Sequence, residues 1–210
     1  MPDVELTAAA DIDEKGLREI TSYYRIKEAF GRIPKNPWIG KREVSGGMIN
    51  ENGVHVLYMF RWIGGNVKKA YARTATFTSG VNIEDSAVAV LEHENNAIST
   101  LIQCWHCTHS WRRWGMVFEG GTLTIDGYLG GTCKISLRNA RVTKTCTYPN
   151  SIDEMYRSEL RHFINCIKEG KKPLTNEEDR LYAQVLVEAI YASANDGIPK
   201  DINSLLSKVL

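Results

Sequence analysis

Glu51 and His55, four residues apart, are the pair in this 210-residue chain best suited to moving a proton. At that spacing on a helix the two side chains lie one turn apart on one face. The carboxylate can then accept from one imidazole nitrogen, fixing the tautomer and favouring the protonated ring. That leaves the other nitrogen to exchange a proton with a bound hydroxyl near neutral pH. The same spacing also describes an ordinary surface pair worth on the order of a few tenths of a kcal/mol. Tyr58 and Trp62 continue the face, and Trp38 precedes it in the chain. Their rings can line a pocket of sugar size, or pack partly into a core.

The element that must position the pair is a helix expected from Met48 to Trp62. Ile49, Val56, Phe60 and Ile63 recur there at helical spacing, while Glu51, His55, Tyr58 and Trp62 collect on another face. Gly53, mid-helix, costs about 1 kcal/mol relative to alanine, so close approach of another backbone or a ligand is expected at that point. From Lys69 to about Cys146 the texture is that of strands, with turns at Asn95-Asn96 and at Gly-Gly pairs. A run of strands without intervening helices predicts antiparallel pairing, and Glu94-Asn95-Asn96 suits a hairpin because Asn tolerates positive φ.

Two helices close the chain. Ser151 with Glu154, and Thr175 with Glu178, have the spacing of capping boxes; the helices they open run to Gly170 and Gly197. Both carry apolar stripes broad enough to pack onto one face of a sheet. At the other end, 4–10 reads as a short buried strand. Asp11-Ile12-Asp13 leads from it into a helical segment bearing Leu17, Ile20 and Tyr24. The stretch 30–47, broken by Gly31, Pro34 and Pro37, reads as a connecting loop. The expected fold class is α+β: an open-faced, predominantly antiparallel β-sheet covered on one face by helices, preceded by a β-α unit.

Bulk properties narrow the partner. Lys+Arg 26 against Asp+Glu 25 gives a formal charge of +1, which offers no charge-driven attraction to nucleic acid or anionic membrane. No apolar stretch approaches the roughly 20 residues of a membrane helix, and the first residues lack the basic flank and apolar run of a signal peptide. A cytoplasmic location is expected, with a small molecule or another subunit as partner. Five cysteines fit reduced thiols better than a disulfide framework. Cys104-Trp105-His106-Cys107-Thr108-His109 has Cys-x-x-Cys spacing, which serves metals and redox chemistry alike. On a strand, however, Cys104 and His106 face away from Cys107 and His109, and no second ligand pair lies nearby in sequence, so no metal is assigned.

The segment 45–55, Ser-Gly-Gly-Met-Ile-Asn-Glu-Asn-Gly-Val-His, resembles the start of the C-terminal domain of the glucose-fructose oxidoreductase/inositol dehydrogenase (Gfo/Idh/MocA) family, in which glycines precede an acid and then a histidine four residues on. Three further stretches agree in order and spacing: Glu84-Asp85 entering a hairpin, Gly121-Thr122-Leu123-Thr124-Ile125-Asp126-Gly127, and Glu188-Ala189-Ile190-Tyr191-Ala192-Ser193-Ala194 with Gly197. The first 29 residues are similar to another part of the same family, the second strand and helix of its Rossmann domain, with Asp11 at the acid that binds the adenosine ribose. Family members continue through most of a nucleotide-binding domain at this point. Here a short loop leads to Trp38, and the Gly-x-Gly-x-x-Gly turn and the Glu-Lys-Pro lysine have no counterpart; Lys172-Pro173 reads as a turn.

The resemblance implies a Rossmann-like remnant over 1–33 and a substrate and oligomerisation domain over 34–210. It implies His55 as acid/base, with Glu51 in place of the more usual aspartate, and substrate contacts at Trp38, Tyr58 and His109. It further implies NAD or NADP as cofactor, a sugar, polyol or related hydroxy compound as substrate, and a homo-oligomer formed through the open sheet face. Two readings follow. One is an NAD(P)-dependent oxidoreductase, incomplete as a catalyst in this chain; the other is a non-catalytic sugar-binding or oligomerisation module derived from its C-terminal domain.

Overall fold

A computed structural model of the chain describes residues 8–9, 28–29, 38–106, 113–128, 130–137, 143–148 and 152–209. These fall into two compact units, one of 1–108 with 175–210 and the other of 109–174.

In the first unit, β1 (Ala8–Ala9) pairs in parallel with β2 (Glu28–Ala29). β1 lies inside the expected opening strand, and β2 is not anticipated from the sequence. The helical segment expected around Leu17, Ile20 and Tyr24 lies outside the described residues. After α1 (Arg42–Ser45) and a longer helix ending in α2 (Val54–Gly64) come β3 (Val67–Ala75), β4 (Ser86–His93) and β5 (Ile98–Cys104). The three strands are consecutive antiparallel neighbours, as the run of strands predicts. Asn96 in the β4–β5 turn has φ 66°, the left-handed conformation that favours Asn over most side chains.

Strand periodicity sorts the two sheet faces. Along β4, Ala87, Ala89, Leu91 and His93 are buried, while Val88, Val90 and Glu92 alternate outward. The alanines on the inner face let α4 (Glu177–Asp196) lie close against the sheet, where Ser193 Oγ accepts from Ala72 N–H at 3.0 Å and Tyr182 Oη from Val67 N–H at 2.8 Å. Ile49, Leu57, Leu91, Leu186, Ile190 and Ile202 are fully buried in this core. A short β10 (Lys200–Asp201) adds to the β3 edge and α5 (Ile202–Leu206) closes the unit.

The second unit holds β6 (Arg113–Phe118), β7 (Gly121–Tyr128), β8 (Gly130–Leu137) and β9 (Thr143–Tyr148), an antiparallel meander in chain order, with α3 (Ile152–Glu169). Among the described residues the strands form one two-stranded sheet, β1–β2, and two four-stranded antiparallel sheets, β10-β3-β4-β5 and β6-β7-β8-β9. The cap of α4 sits one residue later than Thr175: Asn176 Oδ1 accepts from Glu178 and Asp179 N–H, and the Asp179 carboxylate accepts from Asn176 N–H. Asparagine at the cap and an acid three residues on supply the same pair of bonds as the expected Thr-Glu box. Ser151 lies outside the described residues. α4 packs onto its sheet as expected, whereas Leu160, Phe163 and Ile167 of α3 stay exposed. Periodicity finds an amphipathic helix but not what its apolar face meets.

Candidate functional site

The helix that carries Glu51 and His55 is not uniform. Over Ile49–Gly53 it is wound as a single π-turn, with Val54 N–H donating to Ile49 O five residues back, before α2 proper begins. Asn50, Asn52 and Gly53 are weak α-helix formers, which lowers the cost of the irregularity. Such turns are rare and concentrate at functional sites. The extra residue in the turn shifts the helical phase. The buried positions are Ile49, Gly53, Val54 and Leu57, while Val56 and Phe60, partly buried, pack against the core as expected, and Ile63 is partly buried.

A buried carboxylate holds the start of this helix. Glu84 Oε1 accepts from Ile49 N–H at 2.8 Å and from the Tyr191 hydroxyl at 2.6 Å, and Glu84 Oε2 pairs with Arg42. Tyr191 Oη is also within reach of Gly46 O, 3.0 Å, and of Asn50 N–H, 3.2 Å, and the Arg42 guanidinium lies over its ring. Burial, and then the hydrogen bond to Glu84, push the Tyr191 hydroxyl above its ordinary ionisation range. Gly47 has φ 107°, and a Cβ there would come within 2.6 Å of Tyr191 Oη, so the glycine is required both by conformation and by space. The neighbouring Asp85 closes the β3–β4 loop, accepting from the N–H groups of Phe77 and Thr78 and from the Thr78 hydroxyl.

What approaches Gly53 is a side chain from β5. A Cβ at Gly53 would lie 3.0 Å from Gln103 Oε1 and 3.0 Å from Ile49 Cδ1. Gln103 Nε2 donates to Asn52 Oδ1 at 2.6 Å, while its Oε1 is buried without a hydrogen-bond partner among the described residues. The amide thus clamps the π-turn from below. Nothing in the strand pattern of β5 singles out Gln103 for this role; Gly53 inside a helical pattern is the one signal that something sits there.

Glu51 and His55 are both exposed, and no hydrogen bond or ion pair joins them. Tyr58, half-buried, meets Thr175 Oγ1 at 3.2 Å and shares a cleft with Arg61, Trp62, Asn66 and Asp179. Trp38 stands 42% exposed in the turn before α1, where its carbonyl accepts from Lys41 N–H, and its side chain makes no hydrogen bond among the described residues. The helix therefore brings together Glu51, His55 and Tyr58, but the structure shows no contact between them and Trp38. His109 and Asp11 lie outside the described residues.

The expectation of reduced thiols throughout is corrected at Cys104, which is disulfide-bonded; Cys146 and Cys166 are free. Odd cysteine number and composition report the average redox setting and cannot exclude a local bridge. β5 ends at Cys104, so strand alternation stops there, and His106 Nδ1 turns back to within 3.3 Å of Cys104 Sγ and 3.4 Å of Asp85 Oδ1. No group of three or more His, Cys, Asp or Glu among the described residues could hold a metal ion. No helix among them is long and apolar enough to cross a membrane.

Residues 16–125 match the GFO/IDH/MocA C-terminal domain family. A D-apiose dehydrogenase from Paraburkholderia graminis is 26% identical over 195 residues, which cover 85% of this chain and 50% of that protein. The chain spans about half the length of the curated relatives it matches. An oxidoreductase from Agrobacterium radiobacter, crystallised with NAD+, L-tartaric acid and magnesium, superposes with a TM-score of 0.63 at 21% identity, over 94% of this chain and 56% of its own. The aldose-aldose oxidoreductase from Caulobacter crescentus, complexed with glycerol, superposes with a TM-score of 0.68 at 20% identity, over 80% and 52%.

Proposed function

Because the chain belongs to the GFO/IDH/MocA family through its C-terminal domain, we propose that it forms the substrate-side part of an NAD(P)-dependent oxidoreductase acting on a sugar, polyol or related hydroxy compound. The observation that carries this reading is His55, an exposed imidazole one turn after an exposed carboxylate, on a helix whose start is locked by Glu84, Arg42 and Tyr191. Rigid backbone beneath a solvent-facing acid/base is what a proton-transfer site needs.

In this reading His55 takes the hydroxyl proton of the substrate as the hydride leaves the same carbon, and returns it in the reverse direction. Nicotinamide, when bound, supplies the hydride acceptor. Glu51, exposed one turn before His55, is the carboxylate that shares its helix with the imidazole. Tyr58 and Trp38 contribute ring faces and polar edges for a hydroxylated substrate, and His109 belongs to the same assignment by resemblance. By resemblance, too, Asp11 would hold the adenosine ribose. The D-apiose dehydrogenase activity of one relative and the NAD+ bound to another support the substrate and cofactor classes.

A second reading, a binding or assembly module without catalysis of its own, is favoured by one observation. Tyr71, Val88, Val90, Ile98 and Ile102 leave an exposed apolar patch on the outer face of β3–β5, the kind of surface that subunits cover. Titrating the purified protein with NADH and NADPH, read by nicotinamide fluorescence, separates the two. Micromolar binding supports the oxidoreductase; no binding overturns it for this chain alone and leaves the module.

A further inference from the structure

Beyond His55, α2 continues for two turns and ends beside the start of α4. There Tyr58, Arg61, Trp62, Asn66 and Asp179 line an open surface cleft of about 230 Å³. This is smaller than the roughly 300–1,000 Å³ of pockets for drug-sized ligands, and of a size for about one sugar ring. Trp62 is 65% exposed, so its indole is a bare apolar plate rather than core packing. Both His55 and Trp62 lie within the regular α-helical stretch, seven residues apart. That spacing puts them on one face, about 10 Å apart along the axis.

The polar groups of the cleft define what it can take. Arg61 Nη1 is paired with Asp179 Oδ1 at 2.6 Å and the guanidinium lies 4.2 Å over the Tyr182 ring. Among the described residues, the one cation and the one anion lining the cleft thus neutralise each other, which removes the attraction an anionic ligand would need. Arg61 Nε donates to Asn66 Oδ1 at 3.2 Å, and the Asn66 amide N–H donors have no protein partner among the described residues. The Tyr58 hydroxyl lies 3.2 Å from Thr175 Oγ1, and Tyr58 stands three residues after His55 on the same helix. A bare indole, a fixed planar amide and a neutral ion pair suit a ligand with one apolar ring face and a circumference of hydroxyls.

We propose that this cleft is a saccharide subsite that takes the second ring of a neutral glycoside whose first ring lies at His55. The proposal rests on the reading of His55 given above and names its substrate class: a sugar carrying a further ring, rather than a lone monosaccharide. Trp62 stacks on the distal ring and Asn66 reads its hydroxyls.

The test uses the uniformly 15N-labelled full chain, titrated with maltose, cellobiose and lactose, and with glucose as the single-ring control, while the indole N–H of Trp62 and the ring nitrogens of His55 are followed by NMR. At least one disaccharide is expected to shift Trp62 and His55 together and to bind about tenfold more tightly than glucose. Trp62→Ala, at an exposed position where folding is not at stake, is expected to remove that advantage, and Asn66→Ala to weaken it. Glucose moving His55, with no disaccharide gaining affinity or moving Trp62, overturns the subsite and leaves the His55 reading intact. A disaccharide that moves Trp62 alone overturns the two-ring arrangement. No shift at Trp62 with any of the sugars overturns the subsite as well, and the His55 reading is then judged by the shift of His55 in the same titrations.

Discussion

Tyr191 Oη lies 2.6 Å from Glu84 Oε1, and through that contact the long closing helix α4 holds the first turn of the helix bearing Glu51 and His55. The two residues come from elements far apart in sequence, and between them they hold the Ile49 and Asn50 N–H groups at the start of the π-turn. Glu84→Ala leaves the Ile49 N–H without its acceptor. The variant is expected to lose roughly 1–3 kcal/mol, read as a lower urea midpoint at unchanged slope. An unchanged midpoint would show that the contact does not support the helix start.

The same contact gives a pH dependence. Burial first, and the Glu84 hydrogen bond second, raise the ionisation of Tyr191; burial raises that of Tyr182 as well. An unfolded tyrosine ionises near pH 10. Above about pH 10 the unfolded chain therefore sheds protons that the folded chain keeps, and folding stability falls as pH rises; below that value the contribution is fully present. Denaturation midpoints taken from pH 8 upward are expected to drop above about pH 10. Tyr191→Phe, less stable at neutral pH, is expected to lose stability less steeply across that range. Equal slopes for the two proteins would remove Tyr191 from the account.

The contact between Gly53 and Gln103 predicts a coupled pair. Gly53→Ala gains helix propensity but pushes a methyl group to 3.0 Å from Gln103 Oε1, so it is expected to destabilise by about 1 kcal/mol despite the propensity gain. In a Gln103→Ala background the obstruction is reduced and the same change is expected to cost less. A double-mutant cycle in urea measures the difference; additive effects would mean that the Gln103 amide does not limit the space at the π-turn.

The outer face of β3–β5 predicts an assembly. Val88 and Ile102 are directly opposed across β4 and β5, and both are exposed. If copies of the chain associate through this face, Ile102→Lys is expected to lower the mass found by analytical ultracentrifugation to that of the monomer, with little change in folding because the side chain is solvent-facing. The same mass before and after would place any interface elsewhere.

Much of the frame was legible because it depends on short-range pattern. Alternation along β4 and the Asn96 turn come straight from residue types. The π-turn was not legible: Ile49, Val56, Phe60 and Ile63 fit a uniform helix well, and one extra residue in a turn changes the phase without changing the composition. The roles of Gln103 and Tyr191 were hidden for a different reason, since each acts on a segment 51 and 141 residues away respectively. Glu51 and His55 were readable as neighbours, but the hydrogen bond expected between them is absent, because spacing fixes which face a side chain shares and not where its end points.

The most direct test of the central claim is titration of the full chain with aldoses, inositols and other polyols while the ring nitrogens of His55 are followed by NMR, compared with its His55→Asn variant. The account predicts that at least one of them shifts the His55 ring resonances, and that its affinity falls about tenfold on replacing His55. Binding that leaves His55 unmoved would contradict the assignment of proton transfer to His55, and no binding of any of them would contradict the substrate-side account as a whole.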